Sequence, residues 1–196
     1  KVLADSPEDT IILDARSRYE YEVGRFKGAL IFDIENFREL PEQLEQLKQH
    51  ADKRIITYCT GGIKCEKLTA YLLEEGFKHV EQLHGGILGY AEETGGKDFE
   101  GQCYVFDDRV TVPVNDVNPS VIGSCHHCGT PTERAVNCAN AKCHKRTLLC
   151  DTCAEELQGA CSPDCYDSPH RRPWDGTGLY HKAGSLSAAQ KQRLKA

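Results

Sequence analysis

The chain has 196 residues and a formal net charge of −6, so it lacks the overall basic character that is typical of nucleic-acid-binding proteins. No run approaches the roughly 20 apolar residues that a membrane-spanning helix requires. The charge is unevenly divided, because residues 1–120 carry −9 and residues 121–196 carry +3. Only the second part is basic enough to face phosphate, and +3 alone is weak evidence for such a partner.

Strands and helices are predicted to alternate in the first part of the chain. Apolar runs predict strands at residues 11–13, 29–32, 55–59 and 80–83, and helices are predicted at 41–50, 66–75 and 86–93. Such alternation is typical of an α/β domain in which helices flank a parallel sheet. We therefore predict one α/β domain over residues 1–113, with ligands expected at the carboxyl ends of its strands.

The chain changes character after this domain. Residues 103–106 and 110–112 are predicted to be extended segments that leave the domain, with Tyr104 and Phe106 in core packing and Cys103 structural. Residues 114–124 are predicted to be a linker, residues 125–167 a small cysteine-rich module, and residues 168–196 an irregular tail. A short helix is possible within that tail at residues 187–194.

Eleven cysteines without a recognisable signal peptide favour a reducing, cytoplasmic setting in which thiols serve metals or catalysis. The chain begins with Lys1 and contains no methionine, so we expect a fragment that lacks an upstream domain.

Cys59 is the strongest candidate for a catalytic residue. It follows a predicted buried strand and precedes a glycine-bearing loop and a helix, where loop amides and the helix dipole favour thiolate over thiol. The loop comprises Thr60, Gly61, Gly62, Ile63 and Lys64. Cys65 either resolves an oxidised Cys59 as a disulfide or packs inward as a structural residue.

Other residues are weaker candidates for this site. Asp14 and Arg16 end another predicted strand and either line the same cleft or form a structural ion pair. Glu20 and Arg25 are expected to be solvated or to pair within the scaffold. His84 precedes Gly85-Gly86 and could approach the site, but no second residue marks it as a general base.

Eight cysteines between residues 125 and 165 form four close pairs, which is what two tetrahedral sulfur sites require. They are Cys125, Cys128, Cys138, Cys143, Cys150, Cys153, Cys161 and Cys165. We predict two structural zinc ions, because all-sulfur tetrahedral sites usually hold zinc. A cross-brace would join the first pair to the third and the second pair to the fourth, whereas sequential quartets are the alternative. His126, His127 and His144 could replace a cysteine, and a disulfide-bonded or reduced module without metal is the remaining possibility.

Several motifs resemble the rhodanese domain. They are Leu13-Asp14-Ala15-Arg16, Glu20-Tyr21-Glu22-Val23-Gly24, Gly28-Ala29, the loop at residues 59–64 and Leu83-His84-Gly85-Gly86-Ile87. In rhodaneses the loop cysteine carries a persulfide that loop amides surround. The resemblance implies that Cys59 is the nucleophile and that residues 60–64 form its cradle.

A narrower set of motifs resembles the bacterial tRNA uridine hydroxylase (TrhO) family, a rhodanese-related group. It comprises residues 59–67, 82–87 and 105–110 together with the cysteine-rich end. The resemblance covers roughly residues 1–165 and implies oxygen-dependent conversion of the wobble uridine of tRNA to 5-hydroxyuridine, with Cys59 essential. It also implies a domain ahead of the rhodanese module. Lys64 stands where many relatives have Arg, which keeps the charge but loses the planar fork.

Three functions follow as hypotheses. The first is tRNA hydroxylation, in which Cys59 adds to the uracil ring or carries oxygen as a sulfenate, with molecular oxygen as co-substrate. The second is a sulfurtransferase that carries a persulfide on Cys59, and the third is a non-enzymatic zinc adaptor. In the first, the zinc module is a scaffold or a tRNA clamp, and its candidate phosphate contacts are Lys142, Lys145, Arg146, Arg171 and Arg172.

Overall fold

The computed structural model describes residues 9–107 and 109–180. The chain divides into two compact units between Ile122 and Gly123. Among the described residues, no helix has the length and apolar character needed to cross a bilayer. The helix that the sequence suggested at residues 187–194 lies outside the described residues.

A three-stranded parallel sheet lies at the centre of the first unit. Its strands are β1 (Thr10–Asp14), β3 (Arg54–Tyr58) and β4 (His79–Gln82), in the order β1-β3-β4. The last four residues of β3 are all buried, as expected for a central strand that is covered on both faces. The predicted α/β class is therefore confirmed.

Helices connect these strands and cover the sheet. They are α1 (Arg18–Tyr21), a 3-10 helix (Phe37–Gln43) that continues into α2 (Leu44–Lys48), α3 (Ile63–Glu74) and α4 (Gly86–Thr94). The predicted helix at 41–50 thus starts earlier, because the Asn36 side chain accepts the Arg38 N–H and caps the 3-10 segment. Leu44 and Leu47 are buried, as their helical spacing predicts.

The strand predicted at residues 29–32 is reduced to a single parallel bridge between Leu13 and Leu30. The Asp14 N–H donates to the Leu30 carbonyl, and the Leu30 N–H donates to the Ile12 carbonyl. The pairing ends there because β1 itself ends at Asp14. This segment is therefore a bridge at the sheet edge rather than a full strand.

The first unit also contains a second sheet, which is antiparallel. It contains β2 (Gly24–Phe26), β5 (Phe99–Tyr104) and β6 (Thr111–Pro113), in the order β2-β5-β6. The prediction that residues 103–106 and 110–112 leave the domain was wrong, because β5 pairs with both β2 and β6. Gly24 is required at this contact, since a Cβ there would lie 2.2 Å from the Gln102 carbonyl oxygen.

Two apolar clusters hold the first unit together. One lies around Leu13, Ile55 and Leu68, and includes Cys59 and Cys65. The other is aromatic, and in it the ring of Phe26 meets those of Tyr58, Tyr90 and Phe99 edge to face at centroid distances of 4.8–5.2 Å. These pairs combine large buried areas with favourable ring geometry.

A fully buried ion pair joins the two sheets. The Arg16 guanidinium donates to both carboxylate oxygens of Asp14 and to the Gly24 carbonyl, and neither charged side chain is exposed. The Tyr58 hydroxyl also donates to Asp14. Burial alone would lower the pKa of Arg16, but the neighbouring Asp14 carboxylate more than compensates and the pKa is raised.

The second unit is small and contains little regular structure. A two-stranded ladder of β7 (Ala135–Asn137) and β8 (Arg146–Leu148) is followed by α5 (Asp151–Glu156) and α6 (Pro163–Tyr166). Val136, Leu149 and Ala154 form its core together with cysteine side chains.

The described part of the tail, residues 168–180, packs against the second unit although it contains no helix or strand. Trp174 contacts the core, and the Arg172 guanidinium donates to the Cys138 and Ala139 carbonyls. The sequence suggested an irregular tail with isolated aromatic residues. These described residues instead complete the fold of the module.

Removing Arg16 tests the importance of the buried pair. We expect Arg16→Ala to lower the free energy of unfolding by about 3–5 kcal/mol, because Asp14 would remain buried without its partner. Denaturant unfolding followed by circular dichroism measures the change. The matched control is Arg54→Ala, whose pair with Glu81 is partly exposed and should cost at most about 1 kcal/mol. Equal losses in the two variants would contradict this account.

Candidate active site and cysteine clusters

Cys59 lies directly after β3, at the carboxyl edge of the parallel sheet. Residues 60–62 form the loop, and α3 begins at Ile63 with Gly62 as its N-cap. The loop therefore faces the positive end of a 12-residue helix. The Cys59 side chain is largely buried, with 3% of the residue exposed.

Two glycines give this loop its shape. Gly62 has φ of +96°, a left-handed conformation that glycine adopts without strain. Gly86 has φ of +60°, and a Cβ there would lie 2.4 Å from the Cys59 carbonyl oxygen. Gly86, the first residue of α4, is thus needed because its backbone packs against the cysteine loop.

The N-terminus of α4 forms backbone hydrogen bonds to the cysteine loop. The N–H of Ile87 donates to the Cys59 carbonyl at 3.0 Å, and that of Leu88 donates to the Thr60 carbonyl at 3.2 Å. The Thr60 hydroxyl donates to the Tyr104 carbonyl at 3.0 Å, which ties the loop to the end of β5. These hydrogen bonds hold the loop in place, and the Gly62 N–H of the loop points to the Cys59 sulfur.

Several donors converge on the Cys59 sulfur. The Gly62 N–H donates to it at 3.1 Å. Hydrogen bonding by the Cys65 thiol and by the Lys64 and Cys65 backbone also favours the charged form of Cys59. The Cys65 thiol contributes most, and together these donors overcome the cost of burial and lower the pKa of Cys59 to about 6. At neutral pH the sulfur is therefore a thiolate, the form that acts as a nucleophile.

Cys65 is completely buried in the first turn of α3 and faces Cys59. Its hydrogen bond to Cys59 and its burial both raise its pKa, so Cys65 keeps its proton while Cys59 loses one. The two roles that the sequence left open for Cys65 were disulfide resolution and inward packing. The opposite pKa shifts of the two thiols indicate a third role, in which Cys65 hydrogen-bonds to the thiolate.

The Lys64 ammonium pairs with Glu20 at 2.6 Å, and Glu20 is completely buried and also accepts the Ser17 N–H. The sequence suggested that Glu20 is solvated or pairs within the scaffold, and the structure places it in the second role. Lys64 therefore offers its backbone N–H to Cys59, while its charge anchors α1 to the loop.

The other candidate residues from the sequence differ in their solvent exposure and in their partners. Asp14 and Arg16 have no exposed side-chain surface and bind each other, so they shape the sheet edge and present no group to a ligand. His84 is exposed, just before the glycine pair. Arg25 donates to the Tyr21 carbonyl at 3.4 Å and so pairs within the scaffold.

Sequence reasoning missed Phe106. Tyr104 is buried, but Phe106 is 63% exposed, so the prediction of core packing for Phe106 was wrong. The Lys64 ammonium lies 5.3 Å from the centroid of the Phe106 ring, which places the ring beside the cysteine loop. Asp107 and Arg109 follow directly and form a turn between β5 and β6, and turn positions are usually exposed.

Within the described residues, two groups of cysteines meet the requirements for metal ligands. One contains Cys125, Cys128, Cys150 and Cys153, and the other contains Cys138, Cys143, Cys161 and Cys165. In each group the four sulfurs lie within 4.8 Å of one another. The structure thus assembles the cross-brace sets and not the sequential quartets, and no histidine belongs to either group.

The sulfur geometry fits a tetrahedral ion. Zinc–sulfur bonds of about 2.3 Å place the sulfurs about 3.8 Å apart. The Cys128–Cys150, Cys143–Cys161 and Cys161–Cys165 sulfurs are separated by 3.6, 3.7 and 3.8 Å. In the second cluster, the Cys161 N–H and the Asn140 amide donate to cluster sulfurs at 3.5 Å, as groups around metal-bound thiolates do.

The candidate histidines and basic residues of the second unit have other surroundings. His126 contacts the Thr147 hydroxyl at 2.8 Å, and His127 and His144 are exposed. Arg171 lies over the Tyr166 ring at 4.6 Å, whereas Arg172 is committed to the backbone of the second cluster. The exposed basic residues are Lys142, Lys145 and Arg146.

Comparison with known proteins agrees with this architecture. The family described as Rhodanese-like domain matches residues 1–93, and the family described as Rhodanase C-terminal matches residues 100–166. Two solved structures, the Alr3790 protein from Anabaena sp. and an uncharacterized protein from Saccharomyces cerevisiae, match with TM-scores of 0.42 and 0.38 at 23% and 19% identity. These alignments cover 55% and 46% of this chain and 88% and 82% of those chains.

Curated relatives are much more similar in sequence. A protein from Cytophaga hutchinsonii is 55% identical over 175 residues, which cover 89% of this chain and 56% of the relative. Proteins from Listeria welshimeri and Staphylococcus epidermidis are each 51% identical, over 83% and 81% of this chain and 52% and 50% of their own lengths. All three are named tRNA uridine(34) hydroxylase, and this chain spans about half of their length.

A thiolate loop after a parallel strand, with both family matches around it, defines a rhodanese-domain protein. Within that class, the identity to curated relatives is 50% or more over four-fifths of the chain. Over that span the chain is similar to bacterial proteins named tRNA uridine(34) hydroxylase.

The acidity of Cys59 provides a direct test of this site. We expect its alkylation rate to rise with pH around an apparent pKa of about 6. In Cys65→Ala we expect the apparent pKa to rise by about 1 to 2, since a hydrogen bond to a charged group contributes roughly 1.5–3 kcal/mol. Iodoacetamide labelling followed by peptide mass spectrometry measures the profile.

Two variants control this measurement. Cys65→Ser retains a hydroxyl donor and should restore most of the acidity, whereas Cys103→Ala should leave the Cys59 profile unchanged. Burial raises the pKa of Cys103 to about 11, so that thiol does not compete for the reagent at neutral pH. An unchanged profile in Cys65→Ala would rule out the donor role of Cys65.

Proposed function

We propose that the full-length protein hydroxylates the wobble uridine of tRNA at C5 and that Cys59 is its nucleophile. The observation that carries the proposal is the cradle of N–H and S–H donors that keeps Cys59 as a thiolate at neutral pH. This cradle lies in the part of the chain that matches relatives named tRNA uridine(34) hydroxylase. A tRNA substrate would place the enzyme in the cytoplasm.

The anticodon loop is a suitable substrate for this site. Its bases are unpaired, so a wobble uridine can reach the Cys59 loop without the opening of a helix. Cys59 is 3% exposed, so the base must come close to the loop for its C6 to meet the sulfur.

The proposed reaction begins with addition of the Cys59 thiolate to C6 of the uracil ring. This step forms a C–S bond and makes C5 electron-rich, as in an enolate. Molecular oxygen then delivers one oxygen atom to C5, and the other leaves as water after uptake of two electrons and two protons from a reductant. Loss of the C5 proton and cleavage of the C–S bond return the thiolate and release 5-hydroxyuridine.

A low pKa of the Cys59 thiol favours both the first and the last step of this reaction. It provides the thiolate for the addition step, and it makes the sulfur a good leaving group when the C–S bond breaks. An alternative route places the oxygen on Cys59 first, as a sulfenate, before transfer to C5. The same cradle would also surround a persulfide, so sulfur transfer is the competing reaction.

We also propose that each cysteine quartet binds one structural zinc ion. Four thiolates with tetrahedral spacing are the donor set that zinc prefers. The second unit has a small apolar core, so metal binding would supply much of its folding free energy. Lys142, Lys145 and Arg146 are exposed on this unit and are the proposed phosphate contacts; Arg172 is already bound to carbonyl groups.

Genetic complementation tests the reaction. In a bacterium that lacks wobble 5-hydroxyuridine, we expect the full-length gene to restore the nucleoside, and Cys59→Ser to leave it at background because a hydroxyl is a far weaker nucleophile. Nucleoside mass spectrometry measures the product. Failure of the wild-type gene would count against hydroxylation, and equal rescue by both genes would eliminate Cys59. A parallel thiosulfate–cyanide assay reports sulfur transfer.

Metal analysis tests the module separately. We expect two zinc ions per chain, and we expect Cys128→Ser and Cys143→Ser each to lose one of them, because they remove a ligand from different quartets. Inductively coupled plasma mass spectrometry measures the metal content. Cys103→Ala is the control, since Cys103 belongs to neither quartet. A content clearly below two ions in the wild-type protein would contradict the two-site proposal.

A further inference from the structure

Phe106 is the most unusual apolar residue near the active site. It is 63% exposed, although the aromatic neighbour Tyr104 on the same segment is 7% exposed. Ile63, in the first turn of α3, is 77% exposed. The two side chains belong to segments that flank Cys59, so an exposed apolar rim borders the thiolate loop.

The position of the Phe106 ring is well defined. It meets the Tyr104 ring edge to face at 5.4 Å, and Tyr104 meets Tyr19 at 5.1 Å. The turn that carries Phe106 is closed by the hydrogen bond from the Val105 N–H to the Val110 carbonyl at 2.8 Å. A ring that is already fixed loses little conformational entropy when a ligand covers it.

The ring is also linked to the reactive loop. The Lys64 ammonium lies 5.3 Å from its centroid and is itself fixed by Glu20. The Thr60 hydroxyl bonds to the Tyr104 carbonyl, two residues before Phe106. The rim and the thiolate cradle are therefore parts of one connected surface.

This surface combines a flat apolar ring with the positive end of α3, and the Lys64 ammonium beside the ring is paired with Glu20. These features suit a planar, polarisable group that is attached to an anionic backbone. Single-stranded RNA offers that combination, because its bases stack on aromatic side chains and its phosphates are negative. A purely aliphatic ligand would make no use of the flat face of the ring.

We propose that Phe106 is a stacking platform for a base of the anticodon loop, beside the uridine that reaches Cys59. The proposal rests on the proposed tRNA substrate and adds the residue that would bind and orient it. Ile63 borders the platform, and Lys64 fixes its position relative to the sulfur.

Binding measurements with the full-length Cys59→Ser protein test the platform without turnover. We expect Phe106→Ala to weaken binding of an anticodon stem-loop RNA by about 5- to 150-fold, since stacking contributes about 1–3 kcal/mol per base. Phe106→Trp should retain affinity because it keeps an aromatic ring. Leu73→Ala is the matched control, since Leu73 is 48% exposed near the other end of α3.

Photocrosslinking locates the contact. Stem-loop RNA with 5-iodouridine in the anticodon loop should crosslink to the peptide that contains Phe106, and the crosslink should disappear in Phe106→Ala. Unchanged affinity in Phe106→Ala, or a crosslink that maps to other peptides, would overturn the platform. A change in oligomeric state with intact RNA binding would also overturn it, because the ring would then contact a second copy.

These outcomes separate the platform from the reaction. If the wild-type protein forms 5-hydroxyuridine and Phe106→Ala binds RNA normally, only the platform fails. If Phe106→Ala weakens RNA binding but the wild-type protein forms no 5-hydroxyuridine, the proposed reaction fails and the platform stands.

Discussion

The buried Asp14–Arg16 pair is the interaction on which the first unit depends. Arg16 binds the carboxylate at the end of β1 and the carbonyl of Gly24 at the start of β2, so it joins the parallel sheet to the antiparallel one. It also donates to the carbonyl of Glu20 in α1, whose side chain pairs with Lys64 beside the thiolate. The cost of burying two charges is thus offset by a set of bonds that fixes the edge of the active site.

The two units differ in the interactions that their side chains provide. The first has enough apolar surface to form two clusters, one aliphatic and one aromatic, and it uses glycine where backbones approach closely. The second has few apolar side chains, and eight of its side chains are thiols that gather into two groups. In the proposed zinc-bound module, metal binding would replace much of the apolar core, so few helices and strands would be needed to order it.

The features that the sequence predicted well are local. A buried β-branched run predicts β3, and a cysteine followed by Gly-Gly and a helix predicts the thiolate loop, because each depends on neighbouring residues. The four close cysteine pairs are also a local pattern, but the choice between cross-brace and sequential quartets depends on distant residues and stayed open in the sequence. The exposed ring of Phe106 and the return of β5 into the first unit depend on contacts with residues far away in the chain. The alternation of residues 103–106 predicted a strand correctly but could not show where the strand ends, and Phe106 lies two residues beyond that end.

The thiolate alone does not determine the chemistry of the site. Amides and a thiol that stabilise a charge on sulfur would serve an attack on a ring, a sulfenate or a persulfide, because all three place negative charge on the Cys59 sulfur or on the atom bonded to it. What distinguishes the reactions is the molecule that is brought to the sulfur. A small sulfur donor needs little beyond the cradle, whereas a nucleotide needs a surface for its flat base. The exposed ring next to the loop would serve the proposed nucleotide substrate and not a small sulfur donor, so the surface around Cys59 distinguishes the two reactions better than the Cys59 pKa does.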